Sequence, residues 1–298
     1  MTVRSRVVVA TVLAVSVLAA LAAYVVIRTF DAKLSIPLAA RACTVQGSSQ
    51  GSSHATAGAA RQVTLERDQM ANAATIAAVG IRRNAPQQAI VVALATAYQE
   101  SALVNVSGGD RDSVGLFQQR PSQGWGTPEQ IRDPRYAANR FYSALSRVKG
   151  WEQMRVTDAA QAVQRSAYPE AYQKWADEAD VLAEALFGIA TGAVACLLTR
   201  EPSLRGPAAA AALTAGLALD WGSLETQPQA EVPGLAVAAG DQQTGWRYAH
   251  WLVSHAGQHG VQRVRFGGMQ WTAQAGTWSP VSDPAPAGRL VIADVFAD

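Results

Sequence analysis

The stretch Ala89-Ile90-Val91-Val92-Ala93-Leu94-Ala95-Thr96-Ala97-Tyr98-Gln99-Glu100-Ser101 decides how this chain is read. It is apolar on every side until its last turn, so as a helix it must run through a core. Asn84 is placed to cap it, and Pro86 suits the first turn, where a missing N–H costs little. Glu100 then falls in the last turn, at the negative end of the helix dipole. A carboxyl group in that setting is suited to hold a proton and deliver it to a leaving oxygen.

Toward the C-terminus, Ser107-Gly108-Gly109-Asp110-Arg111-Asp112-Ser113 is a turn-rich loop. Val114 to Gln119 reads as a short strand, in which Gly115 would let a ligand or another backbone approach closely. Gln118 offers an acceptor and two donors, the pattern that an acetamido group requires. The plainer alternative is an amide that satisfies its own loop. Trp125, in Pro121-Ser122-Gln123-Gly124-Trp125-Gly126, is either a stacking platform for a sugar ring or a side chain packed under that loop.

Gln99-Glu100-Ser101 followed by Gly115-Leu116-Phe117-Gln118 resembles the lysozyme-like superfamily of soluble lytic transglycosylases and goose-type lysozymes. There a Glu-Ser pair ends a helix and a Gly-Leu-Met-Gln strand follows; Phe117 stands where Met is usual. Gly109-Asp110 is similar to the Gly-Asp between these motifs in the goose-type enzymes. Residues 70–186 more closely resemble a group of membrane-anchored actinobacterial proteins that carry the run from Gly109 to Gly126. Some of that group bear a heavy-metal transporter label, which no residue here supports.

The resemblance implies cleavage of the β-1,4 bond between N-acetylmuramic acid and N-acetylglucosamine in peptidoglycan, with Glu100 as general acid. In a lytic transglycosylase the same carboxylate then takes the proton of the muramic acid C6 hydroxyl, closing a 1,6-anhydro ring without a second carboxylate. A muramidase would need one, for which Asp110 is the candidate with Asp112 behind it. Goose-type enzymes also tend to carry an Asp where this chain has Gln119. Ser101, Gly115, Leu116, Phe117, Gln118 and Trp125 would line the sugar site. Tyr168 would join them, placed like the Tyr of the transglycosylases' Ala-Tyr-Asn segment, although Pro169 replaces the Asn. The alternative is a non-catalytic glycan-binding scaffold in wall assembly. No cofactor or metal is implied.

Location is read from the N-terminus and the cysteines. Arg4 and Arg6 precede an uncharged apolar run from Val7 to Ile27, long enough to span a bilayer. Ala20-Leu21-Ala22 resembles a signal-peptidase site, but the apolar run continues past it, which favours a single-pass anchor with the bulk of the chain extracytoplasmic. Cys43 and Cys196 are the only cysteines and bracket the central region, so one disulfide is expected outside the reducing cytosol.

A net charge of +2 over 298 residues is too small to imply nucleic acid, and no basic stripe interleaved with aromatics appears. The expected partners are peptidoglycan glycan strands, the membrane, and a cell-wall or divisome protein. The expected organisation is a cytoplasmic tail and anchor (1–28), a linker (29–64), a lysozyme-like domain (65–200), a linker with an Ala-rich helix (201–232), and a small α+β accessory domain (233–298). The fold class expected is thus a mainly α lysozyme-like domain with a short β-hairpin, a small C-terminal α+β domain and one transmembrane helix. His255 and His259 have ligand spacing on a helix, but Gly257 and Gly260 disfavour the helix and no third ligand joins them.

Overall fold

Glu66 opens helix α1 (Arg67–Arg82) by donating its N–H to Gln69 Oε1 at 2.8 Å, half of a capping box. The computed structural model describes residues 43–48, 61–229, 232–281 and 289–298, all within one compact unit, Arg41–Asp298. From Ala73 to Gly80 α1 is wholly buried, and its small side chains let neighbours close in. A Cβ on Gly80 would stand 2.7 Å from the ring of Tyr142, whose hydroxyl donates to the Ile76 carbonyl at 3.0 Å.

Helix α2 (Gln87–Ser101) is the apolar stretch, buried without a break from Ala89 to Tyr98. Pro86, not Asn84, stands at its N-cap; Asn84 instead takes a left-handed conformation (φ 55°) just past the end of α1. Helices α3 (Pro128–Ile131), α4 (Pro134–Leu145), α5 (Val156–Gln164) and α6 (Ala176–Leu186) follow. Helix α2 is central, packing against α1, α4, α5 and α6.

Strands β1 (Cys43–Gln46), β2 (Gln62–Leu65) and β3 (Val194–Cys196) form an antiparallel sheet of order β2-β1-β3. Cys43 and Cys196 are register partners in it and form the expected disulfide across a separation of 153 residues. Closing so long a loop stabilises by about 5 kcal/mol at most in the chain-entropy account.

The second sheet takes β4 (Thr226–Pro228), β5 (Gly234–Ala238), β6 (Val261–Phe266), β7 (Met269–Thr272), β8 (Trp278–Pro280) and β9 (Leu290–Val295). Its order is β4-β5-β9-β6-β7-β8, antiparallel throughout. Helices α7 (Gly206–Trp221), α8 (Gln242–Ser254) and α9 (Ala256–His259) belong to the same half of the chain. Helix α8 packs on β6 and β9 and also on α1 and α6, so it joins the sheet to the helical body.

This corrects the expected fold class. Strand makes up 17% of the described residues beside 46% helix, in two antiparallel sheets, so the fold is mixed α/β and not a mainly α domain with a short hairpin beside a small α+β domain. Strand β1 lies in residues expected as linker and β4 in the second expected linker; both are three or four residues long and owe their conformation to the strands they pair with. The expected strand from Val114 to Gln119 is a turn closed by a single bridge between its ends, because Gly115 (φ 78°) and Gln118 (φ 47°) reverse the chain. Residues 65–200 and 233–298 share one continuous hydrophobic core and do not part into separate compact units. The expected transmembrane helix lies outside the described residues; among those described, no helix is long and apolar enough to cross a membrane.

Candidate active site

Glu100 is held where α2 ends, and that end is fixed from outside the helix. Ala102 and Leu103 both adopt left-handed backbone (φ 53° and 61°), an unfavourable pair of conformations for residues with side chains. Their N–H groups bond the carbonyls of Tyr98 and Ala97 at 2.8 and 3.1 Å, which satisfies two acceptors of the last turn. Gln69 and Asn72 of α1 donate to the Ala102 and Leu103 carbonyls at 2.7 and 2.8 Å, and the Leu103 side chain is fully buried. The strain is offset by these anchors.

The Glu100 carboxylate is half-buried, and two donors converge on one of its oxygens. Oε1 accepts from the Tyr172 hydroxyl at 2.7 Å and from Gln164 Nε2 at 3.1 Å. Gln164 Nε2 also donates to the Phe117 carbonyl at 2.8 Å, which ties α5 to the turn beneath the site. Burial pushes the Tyr172 hydroxyl above its ordinary pKa, and the neighbouring Glu100 adds to this against a bond with Ser166. Tyr172 therefore stays protonated and donates. Among the described residues Oε2 takes no hydrogen bond, so this oxygen is the one available to a substrate.

The other expected site residues divide by place. Ser101 Oγ lies 2.8 Å from the Leu116 carbonyl and locks the helix end to the turn. Leu116 and Phe117 are fully buried, with Phe117 stacked on Phe141 at 4.8 Å, so only their backbone serves the site. At Gly115 it is another backbone that approaches: a Cβ there would stand 2.8 Å from the Ile131 carbonyl. The Gln118 amide accepts from Ser113 Oγ and donates to the Gly115 carbonyl, both at 3.1 Å, and so satisfies its own loop.

The Asp110 side chain is 92% exposed, and its one ion-pair partner among the described residues is Arg111 at 3.8 Å. Asp112 is engaged at 2.8 Å by both Arg120 Nε and the Ser122 N–H, which hold its pKa well below the usual carboxylate range. Tyr168 is 75% exposed and makes no hydrogen bond to Glu100 among the described residues, whereas Tyr172, four residues on, makes one. Trp125 is half-buried against the core, and its carbonyl accepts from the Tyr136 hydroxyl at 3.1 Å.

Trp125 also lines a cleft of about 580 Å³, together with Arg140, Arg147, Val163, Gln164 and Arg165. Gln164 thus belongs both to the cleft wall and to the Glu100 hydrogen-bond set. Gln118 and Arg165 join Ala102 and Leu103 in left-handed backbone (φ 47° and 52°), so unfavourable conformations gather around this one site.

Gln164 and Tyr172 were not expected from the sequence. A signal existed for the second: Ala171-Tyr172-Gln173 is an Ala-Tyr pair followed by an amide residue, the pattern sought at Ala167-Tyr168-Pro169. Gln164 carried no signal, since its role depends on where α5 packs. No known protein family matches the chain, and no curated protein matches it.

Proposed function

We propose that the protein cleaves peptidoglycan glycan strands between N-acetylmuramic acid and N-acetylglucosamine as a lytic transglycosylase. One observation carries this reading. Glu100 is a carboxyl group clamped through one oxygen by Tyr172 and Gln164, while its other oxygen takes no hydrogen bond among the described residues and Gln164 also lines a cleft. Protonated Glu100 gives its proton to the glycosidic oxygen as the bond to the muramic acid C1 breaks. The resulting carboxylate takes the proton of the C6 hydroxyl, whose oxygen bonds to C1 and closes the anhydro ring. Tyr172 and Gln164 hold the carboxyl plane through both proton transfers.

The absence of a poised partner supports this route over hydrolysis. Asp110 projects into solvent, and Asp112 is consumed by Arg120 and Ser122, so neither is placed to activate a water. The disulfide fits an extracytoplasmic site of action, where the wall lies, with the N-terminal segment as anchor. A second reading, a glycan-binding scaffold that does not cut, draws support from Gln118, whose amide is spent on its own loop.

Digestion of purified peptidoglycan, read by mass spectrometry beside Glu100→Gln, separates them. Anhydro-muropeptides that disappear with Glu100→Gln are expected. Reducing ends would make the protein a hydrolase, and no products with binding intact would make it a scaffold.

A further inference from the structure

The cleft beside Glu100 has a charge that a bare glycan does not explain. Three of its lining residues are arginines, and none of them is Asp or Glu. Arg140 is oriented by donating to the Gly124 carbonyl at 2.8 Å. Arg147 and Arg165 take no ion pair among the described residues, although carboxylates neutralise Arg61, Arg120, Arg155 and Arg263 elsewhere. The same wall also carries apolar residues: Trp125, Ala144, Val148 and Val163. The site asks for a ligand with several anionic groups and small apolar parts. A glycan backbone offers hydroxyls and acetamido groups, which carry no charge.

We infer that this cleft binds the peptide attached to the glycan, taking its carboxylates on Arg140, Arg147 and Arg165 and its short apolar side chains on Trp125 and Val148. The inference rests on the glycan-cleaving reading of Glu100. The peptide hangs from the lactyl group of the muramic acid whose C1 would stand at Glu100, and Gln164 spans from that carboxylate to the cleft. Guanidinium groups suit carboxylates because their planar forks accept them in paired hydrogen bonds. The protein is thereby selective for strands that still bear peptides.

Calorimetric titration of the full-length protein with three probes tests this: the disaccharide carrying its peptide, the same disaccharide stripped of peptide, and the free peptide. The disaccharide-peptide is expected to bind at least about tenfold more tightly than the stripped disaccharide. That advantage should shrink when salt is raised from about 0.05 M to about 0.5 M. R147A/R165A should erase it, and R147K/R165K should retain part of it, with unchanged thermal melting in both.

Equal affinity for the disaccharide with and without peptide would overturn the inference and leave the glycan reading standing. So would a double alanine variant that loses melting temperature but no affinity, since the arginines would then serve only the helix ends they sit on. Binding of the free peptide as tight as that of the disaccharide-peptide, with none of the stripped disaccharide, would sustain the cleft and overturn the glycan reading.

Discussion

Glu100 owes its character to residues that make no contact with it in sequence. The helix places it, but Tyr172 from one segment and Gln164 from α5 decide which oxygen is free. Tyr172→Phe removes one hydroxyl from a buried ring and leaves its packing in place. The expected result is a fall in kcat of roughly 10- to 100-fold with KM little changed, because the carboxyl loses its orientation and not its substrate. Steady-state kinetics on peptidoglycan fragments, beside a melting curve, check this. A parallel rise in KM with kcat unchanged would assign Tyr172 to substrate binding instead. The Ala171-Tyr172-Gln173 signal is shared in part by the Ala-Tyr pair at Ala167-Tyr168. Only the packing of the 3₁₀ turn Gln173–Trp175 and α6 against α2 tells the two tyrosines apart.

At the scale of elements, one buried carboxylate joins four helices. Asp220, at the end of α7, has no solvent exposure and faces Arg135 of α4 at 2.5 Å. Its other oxygen accepts from Thr75 of α1 at 2.9 Å and from Trp251 of α8 at 2.7 Å. Asp220→Ala leaves the buried Trp251 indole N–H without its acceptor and removes the buried carboxylate that faces Arg135, and is expected to cost about 3–5 kcal/mol in urea denaturation. Adding Arg135→Ala should cost less than the sum of the two single changes, because the charge left unpaired is then gone. Additive losses would show that the pair is not coupled. This junction also explains why the segment after residue 200 is no separate module. The Ala-rich helix expected within 201–232 is found as α7. That α8 carries burial on nearly all sides was the missed sign, since a helix covering a small sheet alone needs only one apolar face.

Over the whole molecule, the buried histidines couple stability to pH. His250 Nδ1 lies 2.7 Å from the Ala185 carbonyl, and its Nε2 accepts from the Ala193 N–H at 3.0 Å, a geometry for the neutral ring. His255 is stacked on Trp251 at 4.1 Å, with Nε2 at 3.3 Å from Thr75 Oγ1. Burial pushes both rings down to about 4 from an ordinary value of 6.5. The unfolded chain therefore binds more protons than the folded one between those values. Stability is full above about pH 6.5 and falls as the pH drops toward 4, by on the order of 3 kcal/mol for each histidine. Denaturant midpoints at pH 7.5, 5.5 and 4.5 should decline in that order, and the decline should be smaller in His250→Gln if that variant folds. A constant midpoint across the series would mean that neither ring is held neutral.

The sequence by itself determined the local pieces: the buried helix with Glu100 in its last turn, the turn-rich loop after it and the pairing of the two cysteines. Each follows from hydrophobic period, turn residues or composition, which act over a few residues or, for the disulfide, from there being only two candidates. The tertiary structure decided the fold class and the site's partners. Strands β1, β4 and β8 have three or four residues each and no sequence pattern of their own, so they exist only where a neighbour supplies hydrogen bonds. Tyr172 and Gln164 reach Glu100 from separate segments, and no spacing along the chain encodes a meeting made by packing.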